Sequence, residues 1–147
     1  MTNVDDDRPR GWLFLLCRIL IVYEPAVLAL TLAPIVSSIA IRGWLVVTML
    51  VARLLVAALG VAAGLALRDV RPHGVALARA ALIASAAMGL LVLNTRVLPS
   101  NRMPGDDELY SLVLIAHHGA WLVYLHRSRQ VRRLFPAAAY DDKRDDS

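Results

Sequence analysis

The chain has 147 residues, of which 58% are hydrophobic and 19% charged, and its net charge is +4 at neutral pH. The apolar residues come in long runs with the charges between and after them, whereas a water-soluble domain of this length spreads its charges along every helix. This composition excludes a water-soluble globular domain and predicts an all-α, polytopic membrane protein, and because the positive charge lies beside the apolar runs, no nucleic-acid partner is expected.

Residues 1–10 are polar and mix aspartates with arginines, which predicts a short cytoplasmic leader rather than the cationic start of a signal peptide. The apolar run that follows is far longer than the apolar region of a signal peptide and contains Glu24, so we expect it to be retained. The single cysteine, Cys17, lies inside that run. It therefore forms no intrachain disulfide and belongs to no cysteine-based metal cluster.

This first apolar run, residues 11–41, would be about 46 Å long if wholly helical, which is too long for one straight span. Pro25 and Pro34 each permit a kink or a break. Two layouts follow. We favour one tilted, kinked helix over residues 12–36, and the alternative is an interfacial helix that ends near Glu24 and is followed by the span.

Two further apolar runs predict spans over residues 44–67 and 75–95, joined by a charged turn. The first carries a GxxxG spacing and the second a ladder of small residues four apart, so each set lies on one face of its helix and lets a neighbouring backbone approach. Such spacings also arise by chance in Ala- and Gly-rich sequence, but we favour a closely packed hairpin of these two runs. The candidate helix-packing face consists of Gly60, Gly64, Ala81, Ser85 and Gly89.

The last apolar run, residues 109–126, follows a loop and is about 27 Å long as a helix, enough for a fourth span. A basic tail, residues 127–147, comes directly after it, and we expect this tail to be cytoplasmic and disordered at its end. The tail begins with the candidate lipid-headgroup contacts Arg127, Arg129, Arg132 and Arg133.

If the helix continues into the tail, Val131, Leu134 and Phe135 form an apolar stripe beside these arginines. The stripe would then lie on the membrane or dock a partner protein. We favour the lipid-facing interpretation.

Residues 11–126 are thus predicted to form an antiparallel bundle of four transmembrane helices, with both termini on one side of the membrane. Under that topology, ten Lys and Arg lie outside the spans on the side of the termini and three on the opposite side. The positive-inside rule places both termini in the cytoplasm. The arginine-rich composition favours a bacterial source, so the expected location is the bacterial cell inner membrane.

Four of the ionisable residues in the predicted spans form a candidate polar cluster: Glu24 in the first span, Arg53 in the second, and His117 and His118 in the fourth. At 1.5 Å of rise per residue, Glu24, Arg53 and His117 reach a similar depth. An unpaired charge there costs several kcal/mol, so Glu24 and Arg53 are expected to pair or to reach a water cavity. The two histidines point about 100° apart, so at most one of them faces the centre of the bundle directly.

This polar cluster has two interpretations. In the favoured one, a buried ion pair fixes the helix register and a histidine is its hydrogen-bond partner. In the other, the cluster is a polar pocket or proton relay of a small transporter. Haem ligation is not expected, because His117 and His118 share one helix. We find no glycine loop for nucleotides, zinc-ligand spacing or nucleophile elbow, and therefore predict no enzymatic activity, no cofactor-binding or metal-binding residues and no catalytic residues.

The segment over residues 121–135, WLVYLHRSRQVRRLF, resembles the end signature of the domain-of-unknown-function 2569 family. In that family of small bacterial inner-membrane proteins with four predicted helices, the last span closes with Trp-x-x-Tyr followed by a basic Arg-Ser segment and a Phe. The opening Gly11-Trp12-Leu13, with Pro25 further along, is similar to the family's first helix. The resemblance covers residues 11–135 and implies the fold and the location. It implies no mechanism, because the family has no established activity.

Two function classes follow. The favoured one is a non-catalytic accessory, assembly or scaffold protein of a membrane complex, whose partners are the lipid bilayer and either another integral membrane protein or a second copy. The alternative is a minimal transporter or proton-coupled module with a polar site at Glu24, Arg53 and His117 or His118. A transporter would show a water-lined cavity at that depth, and an accessory protein a dry, satisfied pair and an exposed face of small residues.

Overall fold

A computed structural model of the protein describes residues 9–30, 36, 43–95 and 106–136. Within these ranges the chain is all-helical and contains no strand. Most of the predicted leader, the breaker Pro34, residues 96–105 of the predicted loop and the end of the tail lie outside the described residues.

The described residues form four long helices and one short helix. Each of the four predicted spans overlaps one long helix, although the first span was predicted to end at residue 36, beyond the described end of its helix. The helices are α1, Trp12–Leu30; α2, Trp44–Arg68; α3, Gly74–Thr95; α4, Asp106–Arg127; and α5, Arg129–Leu134.

One turn of α1, Ile19–Tyr23, is a π-helix. The N–H group of Glu24 donates to the carbonyl oxygen of Ile19, five residues earlier. Pro25 explains this turn, because it lacks an N–H group and its ring would collide with the carbonyl group four residues before it in a regular α-helix. The wider turn absorbs one additional residue just before the proline. The described part of α1 is therefore one continuous helix, as in the layout favoured from the sequence.

Three helices, α1, α2 and α3, are long and apolar enough to cross a membrane. The fourth, α4, has 22 residues, as many as α3. It begins with three acidic residues and carries His117 and His118 in its middle, which lowers its mean hydropathy. The described structure therefore supports a helical membrane protein on the strength of three helices, and the crossing by α4 stays a prediction.

The buried core lies at one end of the long helices, where α1 and α3 begin and where α2 and α4 end. At this end the rings of Trp12 and Trp121 lie 6.4 Å apart between centroids. The side-chain amide of Gln130 also donates to the carbonyl oxygen of Arg10 at 3.1 Å, which ties α5 to the start of α1. The core residues are Leu13, Leu16, Cys17, Leu20, Ala63, Leu67, Val75, Ala78, Ala81, Leu82, Leu125, Val131 and Phe135.

The basic segment after α4 is not a continuation of that helix. Ser128 is extended, with φ −66° and ψ 122°, and α5 starts at the next residue. Val131 and Phe135 are each only 2% exposed and belong to the core, so the lipid-facing interpretation of the apolar stripe is wrong for these two side chains. The physical reason is the break at Ser128, which turns the segment back toward the start of α1. All four candidate headgroup arginines stay exposed: Arg127, Arg129, Arg132 and Arg133.

Candidate functional site

The two glycines of the GxxxG spacing face α1. A Cβ atom added at Gly64 would lie 2.6 Å from Cγ1 of Ile21 and 3.1 Å from Cβ of Leu20, closer than such atoms normally approach. Gly60 lies on the same face, where an added Cβ would meet the carbonyl oxygen of Leu20 at 3.7 Å. The spacing therefore lets α1 and α2 approach closely, in the way that small residues allow between membrane helices.

The small residues of α3 have other neighbours. Ala81 is fully buried in the core and Ser85 is half-buried. Gly89 packs against α4, where an added Cβ would lie 2.6 Å from Cδ2 of Leu114. The hairpin of α2 and α3 is instead tight at its turn, where an added Cβ at Gly74 would lie 2.9 Å from the carbonyl oxygen of Ala66. Four of the five residues predicted as a helix-packing face thus serve contacts within the chain, on more than one face: Gly60, Gly64, Ala81 and Gly89. They do not form the exposed face of small residues that we expected of an accessory protein.

Glu24 and His118 meet across α1 and α4. Oε1 of Glu24 lies 4.0 Å from Nε2 of His118. The side chain of His118 is only 7% exposed and that of Glu24 is 25% exposed. Glu24 directly follows the π-helical turn before Pro25, so the local distortion of α1 precedes the residue that faces α4. The structure therefore brings together one carboxyl group and one imidazole in a nearly enclosed position.

The tautomer of His118 follows from its second contact. Nδ1 lies 2.8 Å from the carbonyl oxygen of Leu114, one turn earlier in α4. A carbonyl oxygen can only accept, so Nδ1 carries a hydrogen atom and donates it. Nε2 is buried and has no hydrogen-bond partner among the described residues. Nε2 therefore points toward the carboxyl group of Glu24 across a gap that is too long for a direct hydrogen bond.

Arg53 and His117 lie at the margin of this pair. Arg53 of α2 is near enough to Glu24 for their opposite charges to attract, yet the two form no ion pair within 4.0 Å. The ring of His117 stands edge-on to that of His118 at 5.2 Å between centroids, and its other neighbour is Trp121 at 6.4 Å. His118 is therefore the histidine that faces α1, and it replaces Arg53 as the nearest ionisable neighbour of Glu24.

Leu114 was not singled out from the sequence, although its carbonyl group holds the ring of His118. The sequence held one signal for it: Leu114 lies four residues before His118, and residues four apart lie on the same face of a helix. Among the described residues, no three His, Cys, Asp or Glu side chains lie close enough together to hold a metal ion. The arrangement therefore places one carboxyl group beside one imidazole, with Arg53 near enough to attract the charge of Glu24.

The chain matches no protein-family model, no curated protein and no solved structure. The resemblance of residues 121–135 to the domain-of-unknown-function 2569 family accordingly stays a prediction. Function is therefore inferred from the chain's own surfaces and from the Glu24–His118 pair.

Proposed function

We propose that the protein is a non-catalytic accessory or scaffold protein of a bacterial inner-membrane complex, with four membrane-crossing helices and both termini in the cytoplasm. The observation that carries this proposal is how little of the apolar helices the chain covers itself. In an apolar stretch of 18 residues in each helix, the chain itself buries only 28% of the stretch in α1, 17% in α2 and 22% in α3. Apolar surface of this extent needs lipid or another membrane protein to cover it.

The crossing by α4 is supported by its neighbours. In the first half of α4, Leu114 packs against Gly89 of α3, and in the second half, Trp121 packs against Trp12 of α1. A helix that lies along two membrane-crossing helices over its length shares their depth. Three acidic residues precede the apolar part and the basic segment follows it, which is the charge order expected for a helix that ends in the cytoplasm. The resemblance to a four-span family agrees with this placement.

A topology experiment tests the number of crossings. We expect a reporter fused before α1 and a reporter fused after Pro136 both to be active on the cytoplasmic side. A reporter inserted within residues 96–105, between α3 and α4, should be active on the periplasmic side. An alkaline phosphatase and green fluorescent protein pair distinguishes the two compartments at each site. Termini found in opposite compartments would show that three helices cross and would contradict the proposal.

An accessory role requires a partner on the uncovered apolar surface. We expect the protein purified from native membranes in a mild detergent to carry a larger integral membrane protein in fixed stoichiometry, identified by mass spectrometry. A chain with Gly64→Leu, which disturbs the α1–α2 contact, should lose this partner, whereas Gly119→Ala, where an added Cβ meets nothing within 4 Å, should keep it. A chain that migrates only as a monomer in native gels and native mass spectra would overturn the accessory role.

A second function, a proton-coupled module, is favoured by one observation. Nε2 of His118 is buried without a hydrogen-bond partner among the described residues and faces a carboxyl group at 4.0 Å. Buried polar atoms normally find a partner, and ionisable groups inside a membrane commonly mark ion or proton pathways. A proton that moves between Glu24 and His118 would pass between α1 and α4, with Arg53 biasing the charge of Glu24.

Proteoliposomes test this second function. We expect vesicles with the wild-type chain and an internal pH-sensitive dye to dissipate an imposed pH gradient faster than empty vesicles, and His118→Gln to remove most of that excess rate because glutamine does not titrate. His117→Gln is the matched control on the same helix, and it should keep most of the rate because the 4.0 Å contact with Glu24 is made by His118, whereas the ring of His117 packs against Trp121. Wild-type vesicles no faster than empty ones, or equal losses in both variants, would exclude proton movement through this pair.

A further inference from the structure

A groove of about 680 Å³ opens between the first half of α1 and the end of α2. Its apolar lining includes Phe14, Ile21 and Val22, and its charged lining includes Arg18 from α1 and Arg68 from α2. Both arginines are exposed. The groove therefore combines an apolar wall with two cationic groups.

The charge of the groove is positive despite a carboxylate in its lining. Asp69 lies there too, but its Oδ2 is 3.6 Å from Nη2 of Arg71, so Arg71 offsets its charge. The guanidinium carbon of Arg18 lies 5.5 Å from the centre of the Phe14 ring. A cation over an aromatic face is held in place without losing its charge. Arg18 and Arg68 are thus left to attract an anion.

The position of the groove favours an amphiphilic anion. Arg18 is about 9 Å along α1 from Trp12, which itself belongs near the membrane surface. Ile21 and Val22 lie further along the same helix, toward the predicted centre of the membrane. A ligand with a phosphate group at the arginines and an alkyl chain along α1 would satisfy both parts of the lining, whereas a small soluble phosphate would leave the apolar wall uncovered.

We propose that this groove binds one anionic phospholipid of the cytoplasmic leaflet, with its headgroup phosphate between Arg18 and Arg68 and an acyl chain along Ile21 and Val22. The proposal rests on the membrane placement argued above, but not on the accessory or proton-coupled role. Arginines near an anionic leaflet attract its lipids, and two arginines that line the same groove also fix the place where the lipid phosphate binds.

Native mass spectrometry tests the site with the full chain in mixed micelles of detergent, phosphatidylglycerol and phosphatidylethanolamine. We expect the wild type to retain one phosphatidylglycerol in preference to phosphatidylethanolamine. Removing Arg18 or Arg68 by R18Q or R68Q should weaken that retention roughly fivefold each. The matched control is R133Q, which removes one positive charge from an exposed arginine outside the lining of the groove, and it should retain the lipid.

The outcomes separate this site from general basic attraction. Retention that falls equally in R133Q, or that shows no preference for phosphatidylglycerol in the wild type, would overturn the proposal. Displacement of the bound lipid by glycerol phosphate, which has the headgroup chemistry without the acyl chains, would overturn the commitment to a lipid. Circular dichroism of each variant shows whether it is folded, and the topology reporters give an independent result, so failure here is distinguishable from failure of the membrane placement.

Discussion

Gly64→Leu should lower the free energy of unfolding by about 3 kcal/mol, near the top of the usual range for overpacking. A Cβ at this position already comes within 2.6 Å of Ile21 and within 3.2 Å of the carbonyl oxygen of Cys17. The backbone of α1 cannot move aside without opening the core around Leu20 and Leu67, which both helices share. Thermal unfolding in detergent micelles, followed by circular dichroism, measures the loss.

The chain provides a matched control for this substitution. Gly119 also lies inside a helix, but an added Cβ there meets nothing within 4 Å. Gly119→Leu should therefore leave the melting temperature nearly unchanged or raise it slightly, because leucine is a better helix former than glycine. If both leucine variants have the same melting temperature, α1 and α2 do not approach each other at Gly64 as closely as the structure shows.

Phe135→Ala should destabilise the protein by roughly 3 kcal/mol, the lower end of the range for truncating a buried phenylalanine. The ring is 2% exposed and shares the core with Leu13, Leu16 and Leu125, so its removal leaves a cavity where the start of α1 and the end of α4 meet. Chemical unfolding in mixed micelles, at constant detergent composition, gives the difference in free energy.

Phe14 is the other phenylalanine of the chain and the natural comparison. It is 50% exposed, so Phe14→Ala should cost much less stability than Phe135→Ala. Equal losses would mean that α5 does not pack on the core in solution. A large loss confined to Phe135→Ala would show that the basic segment is anchored, with its arginines held at a defined place instead of on a loose tail.

The pair of Glu24 and His118 bears on both functions. As a structural element it joins α1 to α4, and in the proposed topology it does so inside the membrane, where charges interact more strongly than in water. As a chemical element it leaves Nε2 of His118 without a hydrogen-bond partner among the described residues, which a purely structural pair would be expected to satisfy. The comparison of His118→Gln with His117→Gln therefore decides more about this protein than any other pair of variants.

Properties that depend only on a residue's position along the helix axis could be predicted from the sequence alone. The lengths of the apolar runs predicted helices that overlap α1 to α4, because each residue adds 1.5 Å and a bilayer core has a known thickness. The depths of Glu24 and the histidines followed from the same rise, and the places of Arg and Lys yielded a predicted orientation. Pro25 likewise predicted a distortion in the first helix.

Only the tertiary structure decided which way the side chains point around each helix axis. Every residue turns a helix by about 100°, so one additional residue in the π-helical turn before Glu24 redirects that side chain, and no depth estimate reveals it. Packing of α1 on Gly64 then sets Glu24 beside His118 with Arg53 further away, and the break at Ser128 buries Phe135. The depth of a residue depends only on its own helix and the surrounding lipid. The direction of its side chain in the bundle depends on the shapes of all the helices packed against that helix.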